Sequence, residues 1–373
     1  MLSFIHSDAL KYVNMEPLLL GFVVTVTATW ILRWITKVLS IGHDTNEGVQ
    51  KFHVNPTSRL GGVAIFLGFA FSGQAVPGIT EFHHYSFWFL LATLPVWLAG
   101  LIEDLTHRVG PTLRLVMATL SAALLFGSLG VSVNRTDVWP IDLLLSIPGA
   151  SLCVTLLVVA GFTHSVNIVD GFHGLACGLA MITLGGLAFM ANMVGDTLLL
   201  QMCLTSLAVV LGFFVYNWPK GAIFLGDAGA YLIGFWVVEL GILLAMRNPQ
   251  ISPMAPVVVG LLPLIETLFS MYRRNIVRDL PINQPDALHL HTLVYRRLLF
   301  NPEFTYTSVQ LNALNAKVAM FFWIPAAIFA GFACIFAQST EAQLILMLTY
   351  LAMYSWLYKR LVLFKAPAFM QFR

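Results

Sequence analysis

Apolar runs of about 20 residues, separated by short polar stretches, recur along this chain of 373 residues. That is the length a helix needs to cross about 30 Å of hydrocarbon. The pattern predicts eleven spans, at about 17–39, 61–79, 86–102, 112–130, 147–163, 174–194, 197–216, 223–245, 254–272, 310–337 and 342–358. The fifth opens on Pro148 and Gly149, so its start is the least regular. A transmembrane β-barrel would instead show alternating segments of about ten residues. Composition agrees with helices: 58% of residues are hydrophobic, 10% are charged and the mean hydropathy is +0.81. These values exclude an ordinary soluble domain and a disordered chain.

Charge sets the sidedness. With the N-terminus outside, only Lys11, Arg135 and Arg247 of the 20 Lys and Arg fall outside. The others lie inside or at inner helix ends, as the positive-inside rule asks. The expectation is an all-α polytopic integral membrane protein of about 11 transmembrane helices, N-terminus outside and C-terminus inside. It forms one domain over 1–373, with an inner loop at about 273–309 that carries Arg273, Arg274, Arg278, Arg296 and Arg297. A net charge of +2 gives no sign of a nucleic-acid partner. Cys153, Cys177, Cys203 and Cys334 lack CxxC spacing and read as packing residues. The first sixteen residues mix Asp8, Lys11 and Glu16 with apolar residues, so no cleavable signal is expected.

Acidic residues then test this topology, because they were not used to draw it. Carboxylates beside a bilayer core are costly and imply a role. Glu103-Asp104 ends the third span, Asn167 and Asp170 follow the fifth, and Asp227 opens the eighth. All fall on the inner side, as do His289 and His291 of the large loop. Adjacent carboxylates at 103 and 104 repel, so they want a cation or a shared proton. Asn167 and Asp170, at i and i+3, share a face if the helix continues there. Asp227 stands between Gly226 and Gly229, whose small size admits a bulky polyphosphate. An acidic helix start with a favourable dipole would look the same.

The basic candidates are Lys51, His53 and Arg59 in the first inner loop, Arg114, and Arg296 or Arg297. Each could hold a phosphate, and each also fits plain positive-inside loading. Gly61 and Gly62 open a helix, where free N–H groups favour anions. His289 and His291 at i, i+2 do not fit the zinc-helix pattern HExxH. Asp227, Asn167 and phosphate oxygens would suit magnesium, which takes few protein ligands. His173 reads equally as a substrate donor or a polar loop residue. Glu266 lies within the ninth span, and Glu239 lies deeper with no partner visible in the sequence.

In this order and spacing, from about Lys51 to His291, the segments resemble the polyprenyl-phosphate N-acetylhexosamine-1-phosphate transferase family. The resemblance implies a bundle of ten or eleven spans in the bacterial inner membrane, with the N-terminus periplasmic and the active site on the cytoplasmic face. It implies transfer of N-acetylhexosamine-1-phosphate from a UDP-sugar to undecaprenyl phosphate, releasing UMP, to start O-antigen, capsule or another surface polysaccharide. It also implies Mg2+, with Mn2+ as a substitute, and leaves a homodimer open. By position, Asp227 and Asn167 match metal ligands and Glu103-Asp104 the paired acidic motif at the acceptor phosphate. Asp104 is expected to activate or orient the acceptor, with Glu103 assisting. Asp170 matches the nucleotide site. His289 and His291 match the sugar-diphosphate loop, and Arg114 a family basic residue. The chain departs from the family at Glu103 (usually Asp), His173 (often acidic), Ala230, Glu266 and Thr292. Two other readings fit an apolar chain with inner carboxylates: a polytopic transporter and a family member with impaired turnover. The sugar and the glycan pathway are not legible from spacing.

Overall fold

The computed structural model describes residues 8–39, 43–44, 57–74, 80–277, 279 and 288–365. Its helices are α1 Met15–Leu39, α2 Gly61–Gln74, α3 Thr80–Thr106, α4 Pro111–Leu129, α5 Trp139–Leu145, α6 Ala150–Val169 and α7 Leu175–Val194. They continue with α8 Thr197–Asn217, α9 Gly226–Arg247, α10 Met254–Val259, α11 Leu261–Tyr272, α12 Leu290–Val294, α13 Ser308–Ile335 and α14 Thr340–Val362. A two-residue antiparallel pair, β1 His43–Asp44 with β2 Thr57–Ser58, precedes α2.

Among the described residues, each expected span overlaps helix. Eight of them, α1, α3, α4, α6, α7, α8, α9 and α13, are long and apolar enough to cross a membrane by length and composition. Three expected spans differ from that description. Helix α2 has 14 residues, and the sequence beyond it carries Pro77 and Gly78, which oppose helix. The ninth span is broken at Gly260 into α10 and α11. Pro263 has no N–H to close a helical bond back to Val259. The Val259 carbonyl instead accepts from Thr183 Oγ1 at 3.3 Å. Helix α14 is less apolar because a stripe of Tyr350, Tyr354 and Tyr358 runs along its buried face. A short helix, α5, lies between the fourth and fifth spans and exposes Trp139 and Leu143.

The centre of the bundle is α9, nearly all of whose residues are buried. It is flanked by α2, α3 and α6, with α7, α8 and α10 also in contact. Small residues let backbones approach closely in such bundles. A Cβ at Gly100 of α3 would lie 2.6 Å from Ala228 Cα, and one at Gly62 of α2 would lie 2.3 Å from the Gly229 nitrogen. Trp236 of α9 also donates to Thr93 Oγ1 of α3 at 2.9 Å. The start of α9 is thereby clamped between α2 and α3. Deeper in α9, Glu239 is fully buried, and neither carboxyl oxygen has a hydrogen-bond partner among the described residues.

Candidate active site

The C-terminal ends of α3 and α6 meet the N-terminal end of α9. Both oxygens of Asp104 accept hydrogen bonds from the first turn of α9: Asp227 N–H to Oδ1 and Ala228 N–H to Oδ2, each at 2.9 Å. Asp104 is 1% exposed, so these amides and Arg59 are its environment. A helix start leaves four N–H groups without intrahelical partners, and a carboxylate is well suited to satisfy them. Gly226 makes the turn into α9 with φ +74°, and a Cβ there would strike the Arg59 carbonyl and the Asp104 carboxylate. No side chain larger than hydrogen fits that position.

Asp227, one residue further, is held from three sides. Arg59 Nη2 donates to Oδ1 at 3.0 Å, Asn167 Nδ2 donates to the same oxygen at 3.1 Å, and Arg114 Nη1 donates to Oδ2. Arg59 also reaches Asp104, with Nε 3.3 Å from Oδ1, and so ties the two aspartates together. Arg114 Nε is buried with no partner among the described residues, leaving a charged N–H donor beside Asp227. Asn167 lies one turn before the end of α6, and its Oδ1 accepts from Tyr231 OH at 3.4 Å.

Asp170 caps α6, its N–H donating to the Asn167 carbonyl at 3.2 Å. Burial pushes its carboxyl up to about 7. Arg59 opposes that shift, and Asp227 and Asp104 add to it.

The histidine segment reaches the same centre. His291 Nδ1 lies 3.2 Å from Glu266 Oε1, and His289 Nδ1 lies 3.4 Å from Oε2. The two imidazoles stack nearly parallel with centroids 5.1 Å apart. The opposite edge of His291 faces the turn after Asp170: a Cβ at Gly171 would sit 3.5 Å from His291 Nε2.

The other sequence-based candidates have their own places in this geometry. Glu103 and Asp104 face different neighbours: Glu103 Oε2 accepts from Val109 N–H at 2.8 Å and closes the α3–α4 turn, while Asp104 faces α9. Consecutive helical residues point about 100° apart, which separates them. The amides of Gly61 and Gly62 are not open to anions, because they donate to the Phe224 and Leu225 carbonyls at 3.1 and 3.0 Å. Arg297 is exposed and stacks over the Phe364 ring, its Cζ 3.6 Å from the centroid. His173 is buried, its N–H donating to Asn315 Oδ1 and its Nδ1 lying 3.4 Å from the Pro219 carbonyl, so it braces the α6–α7 turn. Lys51 and His53 lie outside the described residues.

Two further groups at the site had a sequence signal that was not used. Tyr231 is four residues after Asp227, and His164 is three before Asn167, so each shares a helix face with a marked residue. Their rings lie 4.9 Å apart, and His164 Nδ1 bonds the Ala160 carbonyl at 2.9 Å. Tyr231 also lies under Arg114, whose Cζ is 5.9 Å from the ring centroid.

No cluster of three or more His, Cys, Asp or Glu suited to a metal occurs among the described residues. The donors at the centre, carboxylates and an amide oxygen, are nonetheless hard oxygen ligands. A magnesium ion that keeps its waters and shares phosphate oxygens needs only one or two of them. The residues fit such an ion and do not fit a zinc site.

Residues 86–245 match the profile of glycosyl transferase family 4. That stretch contains Glu103, Asp104, Arg114, Asn167, Asp170 and Asp227; Arg59, Glu266, His289 and His291 lie beyond it. A probable undecaprenyl-phosphate N-acetylglucosaminyl 1-phosphate transferase of Bacillus subtilis is 28% identical over 282 residues, 74% of this chain and 77% of its own length. A decaprenyl-phosphate N-acetylglucosaminephosphotransferase of Mycolicibacterium smegmatis is 28% identical, covering 74% of each chain. An undecaprenyl-phosphate alpha-N-acetylglucosaminyl 1-phosphate transferase of Salmonella typhi is 27% identical, covering 69% of this chain and 70% of its own.

Proposed function

The chain belongs to glycosyl transferase family 4, and on that premise we propose that it transfers N-acetylhexosamine-1-phosphate from a UDP-sugar to undecaprenyl phosphate, releasing UMP. The names of the relatives favour N-acetylglucosamine as the sugar. The observation that carries the reading is the polar centre at one end of an apolar bundle, where Asp227 is gripped by Arg59, Arg114 and Asn167. A lipid acceptor can reach such a place from the membrane, and a soluble nucleotide can reach it from water.

In the proposed reaction an oxygen of the lipid phosphate forms a bond to the β-phosphorus of the donor. The bond from that phosphorus to the oxygen bridging the α-phosphate breaks, and UMP leaves with the electron pair. The lipid phosphate is largely dianionic at neutral pH, its second pKa being about 6, so no strong base is required. Bringing two anions together is the harder task, and oriented charge answers it. Arg114 offers its unpaired Nε–H, and the imidazole of His291, with His289 stacked on it, faces the turn beside Asp170. Asp104 serves by fixing the start of α9, and with it Asp227 and Arg59. Bound Mg2+, or Mn2+ in its place, would be held by Asp227 and Asn167 and would neutralise charge on the diphosphate.

A small apolar crevice of about 10 Å³ lies close by, lined by Phe162, Val166, Val169, Leu179 and Pro263 among others. The positive-inside distribution supports a cytoplasmic site in a bacterial inner membrane, at the start of a surface polysaccharide. Purified protein with radiolabelled UDP-GlcNAc, undecaprenyl phosphate and Mg2+ is expected to form a labelled lipid. Absence of lipid product with each of several UDP-N-acetylhexosamines would remove the proposal.

A further inference from the structure

Glu266 is 1% exposed, yet it is richly partnered. Its carboxylate accepts from the backbone N–H groups of Leu290 and His291, each at 3.2 Å, and from Tyr354 OH at 3.0 Å. His291 Nδ1 at 3.2 Å and His289 Nδ1 at 3.4 Å face the same carboxylate. One carboxylate on α11 thus organises the whole first turn of α12. Tyr354 comes from α14, 88 residues away in sequence.

A second tie runs in parallel. Arg273 Nη1 donates to the Leu288 carbonyl at 2.6 Å, immediately before His289, and it also donates to Tyr358 OH on α14. Tyr354 and Tyr358 are one turn apart, stack nearly parallel and both pack against Phe269. These residues all lie beyond the stretch that matches the family profile.

A carboxylate beside an imidazole fixes its tautomer and its ring plane. With Nδ1–H turned to Glu266, Nε2 of His291 is left facing Gly171, next to Asp170. We infer that Glu266 and Tyr354 are positioning residues for the sugar-diphosphate donor, with the C-terminal helix α14 forming part of the donor site by holding Glu266, and through it His289 and His291, in register. Neither residue touches the reacting atoms. The inference rests on the proposed reading for the identity of the donor, but not for the network itself.

Two readouts on the full-length protein in detergent test it. Tyr354→Phe removes only the hydroxyl and leaves the stacked rings, and Glu266→Gln keeps the shape but turns one acceptor into a donor. Tyr354→Phe is expected to raise KM for UDP-GlcNAc about five- to tenfold, leaving KM for undecaprenyl phosphate nearly unchanged. Glu266→Gln is expected to cost at least about 100-fold in kcat/KM for the donor, and Glu266→Asp to recover part of that loss. In 15N spectra of histidine-labelled protein, His289 and His291 are expected to be Nδ1-protonated in the wild type and to lose that preference in Glu266→Gln.

A merely structural tie would weaken both substrates alike, and that outcome overturns the inference. So does an unchanged donor KM in Tyr354→Phe, or tautomers indifferent to Glu266→Gln. The spectra require no turnover. If the wild type transfers nothing while the tautomer shift is present, the network stands and the proposed reaction falls.

Discussion

The side chain of Asp104 holds the backbone of Asp227, both of its oxygens accepting N–H groups from the first turn of α9 at 2.9 Å. The two aspartates are therefore coupled through main chain and not through a shared ion. Asp104→Asn keeps one acceptor but presents an NH2 group to the other amide, and it loses the attraction to Arg59. Charge-assisted bonds of this kind contribute about 1.5–3 kcal/mol each. The variant is expected to lower the apparent melting temperature in detergent by several degrees as well as transfer. Loss of activity with an unchanged melting temperature would instead mark Asp104 as a direct participant in the chemistry.

Asp227 receives two guanidinium groups and an amide. Asp227→Asn removes the charge that these groups surround while keeping the shape. Transfer at ordinary magnesium is expected to fall by at least about 100-fold. Binding of Mn2+, followed by its paramagnetic resonance signal, is expected to weaken together with activity. Near-normal turnover would take Asp227 out of the metal site.

Asp170 gives a pH dependence with a definite sign. Its folded-state pKa, about 7, is above the ordinary value of 3.8. Below pH 4 the group is protonated in folded and unfolded chains alike, and it contributes nothing to the balance. Between about 4 and 7 the unfolded chain ionises first, so rising pH favours unfolding. Above 7 the full penalty of the buried carboxylate is present. The melting temperature of the ligand-free protein is thus expected to fall from pH 5 to pH 8, and Asp170→Asn to flatten that slope. An equal slope in the variant would assign the dependence to other groups.

The bundle and its polar end were legible because an apolar chain makes each carboxylate conspicuous. Asp227, Asn167, Asp170 and the pair at 103–104 were found in this way, and the helices bring them to one end. Their division of labour was not legible. Whether Asp104 meets a substrate or a helix depends on how closely α3 approaches α9, which Gly100 permits and no local pattern records. Arg59 reads as a phosphate holder or a positive-inside loop cation, and only the packing of β2 and α2 brings it to both aspartates. Tyr354 carries no local signal, because its bond to Glu266 spans 88 residues. The break at Gly260 follows from Pro263, a signal that a hydropathy window averages away.

Glu239 stands apart from these networks, fully buried in α9 with both carboxyl oxygens unpartnered among the described residues. An unsatisfied buried polar group costs about 1–3 kcal/mol, more if charged. Methionine has a similar length and fills irregular apolar space well. Glu239→Met is expected to raise the melting temperature by a few degrees and to leave transfer intact. A fall in stability would mean that the carboxyl has a partner worth keeping.

Gly100 tests the link between packing and chemistry. A Cβ at this position would lie 2.6 Å from both the nitrogen and the Cα of Ala228, the residue whose amide Asp104 holds. The obstacle is backbone, which cannot rotate aside, so α3 and α9 must part by several tenths of an ångström. Overpacking of this kind costs about 1–3 kcal/mol. The greater effect falls on Asp104, whose two bonds to α9 lengthen as the helices separate. Gly100→Ala is expected to reproduce Asp104→Asn in kind, lowering both melting temperature and transfer. In the double variant the two losses are expected to be less than additive, since they break the same contact. Fully additive losses would show that α3 supports α9 at Gly100 independently of the Asp104 cap.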